Sequence, residues 1–179
     1  MSAHSFMLES LDSPTGRIML VTDREDRLRA LDWQDCQTRM QRLLQRHYGA
    51  VSLQVRAPSN LSTAARALQA YFDGDLAATT VLAVATQGTE FQRRVWAALR
   101  RIPIGCTMSY GTLAARIGHP NAARAVGLAN ASNPIAIAVP CHRVIGANRA
   151  LTGFSGGLQR KRWLLDHEHR HQARVPEVA

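Results

Sequence analysis

The sequence predicts an α+β fold, with a small antiparallel sheet and helices in the first half and a mainly helical second half of winged helix-turn-helix type. Apolar and polar residues alternate between turn signals up to residue 33, which is typical of short strands. Apolar residues at helical spacing follow from residue 35. Residues 109–132 hold two short helical patterns around a Gly-containing turn, as in a helix-turn-helix. We therefore expect two domains, over residues 1–84 and 89–172.

The first half is predicted to open with a meander of three strands. Residues 5–11, 16–22 and 27–33 alternate in polarity, and residues 13–16 and 23–26 hold the Pro, Gly and Asp that favour turns. Helices are predicted over residues 35–48 and 62–72, because apolar residues recur there every three or four positions. Residues 75–88 are mostly small, apolar and irregular, which indicates a connection between domains.

The second half is predicted to begin with a capped helix, since Thr89 followed by Gln92 fits a capping box. Ser109 is expected to cap a short helix that ends at the turn around Gly118, and Asn121 to cap a second one that runs to about residue 132. Residues 143–152 are predicted to form a β-hairpin, which would be the wing. A last helix is predicted over residues 158–168.

The net charge of +9 lies entirely in the second half. Residues 1–89 carry nine Arg and nine acidic residues, whereas residues 90–179 carry twelve Arg and one Lys against four acidic residues. A basic half beside a neutral half predicts contact with a polyanion. An arginine-rich composition set by genome base content is the alternative, but it does not explain why the acidic residues concentrate in the first half.

The rest of the composition excludes several classes of protein. No N-terminal apolar segment and no run of membrane-spanning length is present, so we expect a cytoplasmic protein without membrane contact. Three widely spaced cysteines without a C-x-x-C pair predict neither a disulfide framework nor a structural zinc site. Residues 167–171 contain alternating histidines. Such histidines at a chain end are more often solvated than metal-bound, and no cofactor-binding motif is present, so we expect neither metal nor cofactor.

Cys141 is the strongest candidate for chemistry. It follows the apolar residues 135–139 and stands between Pro140 and the pair His142-Arg143. A lone cysteine is usually a small buried apolar residue, and that interpretation suits Cys36 and Cys106. It suits Cys141 less well, because a possible base and a cation are its neighbours.

A thiol becomes an effective nucleophile when a base or a positive field generates the thiolate. Adjacent side chains of extended backbone point to opposite sides, so we expect His142 to act on Cys141 through a water molecule. A carboxylate that orients the second ring nitrogen makes histidine a better base. The acidic residues downstream of Cys141 are Asp166, Glu168 and Glu177.

The motifs of the second half resemble those of O6-alkylguanine-DNA alkyltransferases. The resemblance is dense over residues 89–168 and includes Ser109-Tyr110-Gly111, the segment 122–127, Asn133-Pro134 and residues 140–144. It continues through Gly156-Gly157 and Lys161 to Glu168. The first half resembles the family's variable N-terminal domain only in size and element order, and the resemblance implies that this half is ribonuclease H-like. The chain is more similar to the constitutive bacterial type than to the adaptive-response regulator.

The resemblance implies irreversible transfer of an alkyl group, mainly methyl, from O6-alkylguanine in double-stranded DNA, and from O4-alkylthymine, to Cys141. His142 would accept the thiol proton and Glu168 would orient His142. Tyr110 would assist the leaving group, and Asn133 would hold the turn that presents Cys141. The expected substrate-pocket residues are Val144, Ser155, Phe154, Gly156 and Lys161. Phe154 stands where many members have tyrosine.

The resemblance also implies that the damaged nucleotide is flipped out of the duplex from the minor groove. Arg124 would occupy the gap that the base leaves. The other DNA-binding residues implied are Ala122, Ala123, Gly127 and Ser109. With no recycling system evident, each molecule would react once, as a monomer that can cluster on DNA.

Three other classes of protein are alternatives. A damage-binding protein of the same fold would lack the nucleophile. A thiol hydrolase would need an oxyanion hole and a water route for deacylation, and no segment clearly supplies either. A winged transcription factor would usually dimerise on symmetric half-sites, and no dimerisation element is evident.

Overall fold

The computed structural model describes residues 4–172. Its N-terminal sheet contains β1 (His4–Leu11), β2 (Ile18–Thr22), β3 (Leu28–Trp33) and β4 (Val51–Val55), in the order β3-β2-β1-β4. The three predicted strands are antiparallel neighbours. The sheet as a whole is mixed, because the unpredicted β4 pairs parallel with β1. The helix between β3 and β4 returns the chain along the sheet, so that β4 runs in the direction of β1.

Both faces of the sheet are covered, and all five residues of β2 are buried. Met19 and Val21 pack against α1 (Gln37–Tyr48), whereas Ile18 and Leu20 face the opposite core. That core includes α2 (Thr63–Phe72), which Ser62 caps by accepting from the Ala65 amide. A central strand buried on both faces reads as a nearly continuous apolar run, as residues 18–21 do.

The second half contains α3 (Glu90–Leu99), α4 (Tyr110–Arg116), α5 (Ala123–Ala131) and α6 (Leu158–Gln172). The capping box of Thr89 and the cap at Ser109 are confirmed. The predicted cap at Asn121 is wrong: α5 starts at Ala123, so its N-cap residue is Ala122, whose side chain makes no capping hydrogen bond. The last helix continues beyond the predicted residue 168, because the histidines that follow still bond along it: the His171 ring lies 2.9 Å from the His167 carbonyl oxygen.

The predicted hairpin over residues 143–152 is also wrong. β6 (Val144–Ile145) pairs parallel with β5 (Met108–Ser109), and the turn at residues 146–150 closes through the Gly146 amide on the Ala150 carbonyl without a returning strand. The ladder joins the residue before Tyr110 to the strand that follows Arg143. This pairing brings the start of α4 beside the Cys141 segment, which a local hairpin would not do.

One hydrophobic core crosses from the first half to the second. It includes β-strand residues, α2 and α3 residues, and the apolar segment before Cys141. Leu31 of β3 also makes a parallel bridge with Ile135. The division at residues 84–89 stays a prediction. Within residues 4–172, no helix has the length and apolar character needed to span a bilayer.

The absence of a side chain at Gly156 allows Trp33 of the first half to pack against Phe154 of the second half. A Cβ atom there would collide with the Trp33 ring and lie 2.9 Å from Phe154, and Trp33 is fully buried. Gly156→Ala should lower the free energy of unfolding by about 1–3 kcal/mol through overpacking, as measured by urea denaturation.

Gly111→Ala is the matched control, since its Cβ would meet only the Ser109 hydroxyl, at 3.9 Å. Alanine in α4 should be neutral or slightly stabilising. Equal effects at the two glycines would contradict the packing argument.

Candidate active site

A tight, buried segment presents Cys141. Residues 133–140 are all buried, yet they form no strand beyond the single bridge to Leu31. Ile137 has a φ of 66°, a left-handed conformation that β-branched residues rarely adopt. Asn133 holds the segment from inside, since its Nδ2 donates to the Val139 carbonyl at 2.8 Å and its Oδ1 accepts from the Ile135 amide at 3.0 Å.

Cys141 itself begins a single 3₁₀ turn, Cys141–Arg143, so the extended backbone assumed for it is corrected. Its side chain is 5% exposed. Burial raises the pKa of the Cys141 thiol, against the opposing effects of the Asn133 side chain and the charges of Arg39 and Lys161. The resting group is therefore a thiol, and a nucleophilic reaction at this sulfur requires a base.

His142 and Glu168 form a fully buried pair, with 2.8 Å between His142 Nε2 and Glu168 Oε1. The structure thus brings together the two residues that were expected to act as base and orienting carboxylate. Of the other downstream acidic residues, Asp166 is exposed and Glu177 lies outside the described residues.

Glu168 accepts hydrogen bonds from three further groups. Arg143 donates from Nη2 to Oε1 at 2.8 Å and from Nε to Oε2 at 2.9 Å. The Tyr71 hydroxyl donates to Oε1 at 3.0 Å, and the Gly105 amide to Oε2 at 3.1 Å. Burial alone would raise the pKa of Glu168, but His142 and Arg143 outweigh it and hold that pKa well below its usual range.

An ionised Glu168 determines the tautomer of His142. A carboxylate only accepts hydrogen bonds, so Nε2 must carry the hydrogen and Nδ1 must hold the free lone pair. Nδ1 is buried and has no hydrogen-bond partner within residues 4–172. Burial lowers the pKa of His142 more than Glu168 raises it. The ring is therefore neutral near pH 7, with a basic nitrogen available for a proton.

A cavity of about 260 Å³ has Cys141 in its wall. Tyr110 and Phe154 line it, together with Ser155 and Gly127. The Tyr110 hydroxyl donates to the Thr152 carbonyl at 3.3 Å. Burial raises the pKa of Tyr110, despite hydrogen bonding to Thr152 and Asn130, so this phenol stays protonated and can donate. A larger surface groove of about 470 Å³ beside the start of α6 has neither cysteine nor histidine in its lining.

The remaining expected pocket residues are absent from the lining of this cavity: Val144, Lys161 and Gly156. Lys161, the single lysine of the chain, is fully buried, and its Nζ donates to the carbonyls of Val144 at 2.6 Å and Thr152 at 2.9 Å. It thereby ties β6 to the loop that carries Phe154. Gly156 lines the surface groove instead and allows Trp33 and Phe154 to pack edge to face.

The exposed face of α5 lies beside this cavity. Arg124 is exposed, and Ala122, Ala123 and Gly127 are partly exposed, so the helix surface is thin as expected. Ser109 is partly exposed at the start of α4, where its hydroxyl accepts from the Thr112 amide at 3.0 Å. Within residues 4–172, no group of three or more His, Cys, Asp or Glu could hold a metal ion.

Sequence reasoning missed four residues of the site. Arg143 was recognised only as a cation near Cys141, and no local signal places it against Glu168, which lies 25 residues further along the chain. Asn130 donates to the Cys141 carbonyl at 3.3 Å, and Arg39 donates to the Asn133 carbonyl at 2.9 Å. Tyr71 and Arg39 come from the first half of the chain, where no local pattern marks them.

Comparison with known proteins now identifies the family. The model of the 6-O-methylguanine DNA methyltransferase DNA binding domain matches residues 90–170, and that of the family's ribonuclease-like domain matches residues 7–86. The chain belongs to the 6-O-methylguanine DNA methyltransferase family. The resemblance found in the sequence is confirmed, as is the α+β fold with a ribonuclease-like first half.

Relatives in this family match most of the chain. The methylated-DNA–protein-cysteine methyltransferase of Salmonella typhimurium is 51% identical over 160 residues, which cover 89% of this chain and 94% of the relative. That of Mycobacterium tuberculosis H37Rv is 58% identical over 111 residues, covering 62% and 67%. The crystal structure of Mycobacterium tuberculosis OGT in complex with DNA has a TM-score of 0.76 at 43% identity and covers 92% of this chain and 94% of that one.

The ionised, hydrogen-bonded carboxylate of Glu168 predicts that the free energy of unfolding falls in acid. A carboxyl group whose pKa falls on folding stabilises the protein above its ordinary pKa of 4.5, and this stabilisation is lost as pH falls through the lower folded pKa. Glu168→Gln should lower the free energy of unfolding by about 3 kcal/mol at pH 7, since one partner of a buried ion pair is removed.

The difference between wild type and Glu168→Gln should shrink as urea denaturation is repeated from pH 7 towards pH 3.5. Parallel pH curves for the two proteins would contradict the assignment. Glu90→Gln is the control, because Glu90 is an exposed residue paired with exposed Arg94, and its effect should stay within about 0.5 kcal/mol.

Proposed function

We propose that this chain repairs DNA by transferring an alkyl group, mainly methyl, from O6-alkylguanine to Cys141. The observation that carries the proposal is a cavity of about 260 Å³ with buried Cys141 in its wall. The next residue, His142, has its Nε2 hydrogen-bonded to the buried carboxylate of Glu168, which leaves Nδ1 to accept a proton. Transfer from O4-alkylthymine in the same cavity is part of the proposal.

The reaction is a displacement at the alkyl carbon. A water molecule passes the Cys141 thiol proton to Nδ1 of His142, and Glu168 stabilises the imidazolium that forms. The thiolate sulfur then bonds the alkyl carbon while the bond from that carbon to guanine O6 breaks. The electron pair remains on the base, so an unassisted leaving group would depart as an anion.

Tyr110 acts on that leaving group. Its protonated hydroxyl lies in the same cavity wall as Cys141 and donates a proton towards N3 of the departing guanine. The carbonyls of Cys141 and Val144 accept from the exocyclic amine, and the Ser155 amide approaches O6. Asn130 and Lys161 already donate to these two carbonyls, which holds them in position while their second lone pairs stay available.

DNA is bound through α5 in the minor groove. The partly exposed small residues of α5 permit close backbone approach, and a flipped nucleotide reaches the cavity beside this helix. Arg124 fills the gap in the duplex. Phosphate contacts come from exposed arginines of the basic second half, so binding depends on salt and little on sequence.

The product is a thioether, which has no leaving group that the site can expel, and each molecule therefore reacts once. The proposal includes that the protein acts as a monomer in the cytoplasm and can cluster on DNA. Phe154 lines the cavity where many family members have tyrosine, so this wall lacks one hydroxyl, which alters the bulky alkyl groups that fit.

Transfer should be stoichiometric and confined to one cysteine. Incubation with a duplex that carries one radiolabelled O6-methylguanine should place one equivalent of label on Cys141 and then stop. Peptide mapping identifies the labelled residue. Continued turnover, or label on Cys36 or Cys106, would refute the proposal.

Cys141→Ser serves as the control for binding. It should retain DNA affinity in a gel-shift assay but transfer no label. Lost affinity would indicate that Cys141 is a structural residue.

Arg124→Ala should reduce repair of duplex DNA by tenfold or more, because the vacated stack is no longer filled, while leaving reaction with free O6-methylguanine base nearly unchanged. The order-of-magnitude estimate follows from the few kcal/mol that unstacking a base requires. Single-turnover rates on the two substrates test it. Arg24→Ala, which changes an exposed arginine of the neutral first half, is the matched control, and equal losses on both substrates for Arg124→Ala would argue against the flipping role.

A further inference from the structure

Tyr71 connects the first half of the chain to the candidate base. It lies on α2 and is fully buried, and its hydroxyl donates to Glu168 Oε1 at 3.0 Å. The same oxygen receives Nε2 of His142 at 2.8 Å. Arg143 Nη2 donates to this oxygen as well, at 2.8 Å, so donors from both halves of the chain meet at one carboxylate oxygen.

Packing and a backbone hydrogen bond hold Tyr71 in place, and its hydroxyl serves as a donor to Glu168. Its ring packs against Phe72 and His167, with centroid distances of 5.4 and 5.2 Å, and its backbone carbonyl lies 2.7 Å from the His167 ring nitrogen Nε2. Burial and the adjacent Glu168 raise the pKa of Tyr71 far above its usual value. The hydroxyl therefore stays neutral and acts on Glu168 only as a hydrogen-bond donor.

The charge on Glu168 Oε1 governs how strongly His142 holds a proton. Each hydrogen bond to a carboxylate stabilises its charged form and makes it a weaker partner for a further proton. The groups that face this carboxylate are His142 and Arg143 from the 3₁₀ turn, Tyr71 from α2 and the Gly105 amide from the loop after α3. His167 neighbours it on α6, and the charge of Lys161 acts on His142.

We propose that Tyr71 is a positioning residue that limits the pull of Glu168 on His142 and so keeps His142 neutral and ready to accept the Cys141 proton. The N-terminal half then contributes directly to the chemistry of the second half. This inference rests on the proposed function, because it assigns a residue to the base of that same reaction.

Tyr71→Phe removes the hydroxyl and keeps the ring. Without it, Oε1 attracts the His142 hydrogen more strongly, so the imidazolium is stabilised and the acid limb of the transfer rate should move upward by about half to one pH unit. Single-turnover transfer from O6-methylguanine should therefore fall on the acid limb, by about two- to fivefold at the pH where wild type has lost half of its rate, and stay within about twofold of wild type at pH 8.5. Each profile is normalised to the same protein at pH 8.5, so a partly folded sample does not imitate the shift.

A double-mutant cycle provides the second measurement. In the Glu168→Gln background the added Tyr71→Phe change should leave the pH profile unmoved, since the amide at 168 carries no charge for the hydroxyl to weaken. Tyr48→Phe is the matched control, because the Tyr48 hydroxyl donates to the neutral Ala85 carbonyl at 3.0 Å. Its profile should coincide with that of wild type.

The outcomes separate the two proposals. If wild type transfers no alkyl group, the proposed function fails. If wild type transfers but Tyr71→Phe lowers the rate equally at every pH, or the two changes shift the profile additively, Tyr71 has only a structural role and this inference is overturned.

Discussion

The buried carboxylate of Glu168 is the constraint on which the rest of the site depends. It accepts hydrogen bonds from the 3₁₀ turn after Cys141, from α2 and from the loop after α3. A fully buried charge is costly unless it is paired and hydrogen-bonded, and removing one partner from such a pair typically costs about 3–5 kcal/mol. The network therefore resists the loss of any of these three elements, and it holds His142 in one tautomer.

Cys141 is placed by constraints that work together with this network. Asn133 closes the segment before it, and Lys161 ties β6 to the loop across the cavity. Burial keeps the sulfur protonated at rest, which protects it from adventitious reaction. In the proposed reaction the thiol loses its proton to neutral His142, so the burial that keeps Cys141 protonated also makes its reaction depend on that base.

Most of the fold was predictable from local pattern, and the errors in strand pairing share one cause. The first three strands, the capping box at Thr89 and the cap at Ser109 follow from residues close in sequence. The parallel pairing of β4 with β1, and of β6 with β5, joins segments separated by dozens of residues. Alternation and turn residues carry no information about which distant strand a segment will pair with.

The sequence by itself indicated Cys141 as the candidate nucleophile and His142 as its candidate base, and it determined the thin helix with Arg124 and the basic character of the second half. These features lie in contiguous residues whose chemistry is visible without coordinates. Only the tertiary structure decided that Tyr71 and Arg39 of the first half reach the site, that Arg143 pairs with Glu168, and that Nδ1 is the free nitrogen of His142. Those contacts depend on one core shared by both halves, because packing brings together side chains whose positions in the chain predict nothing about one another.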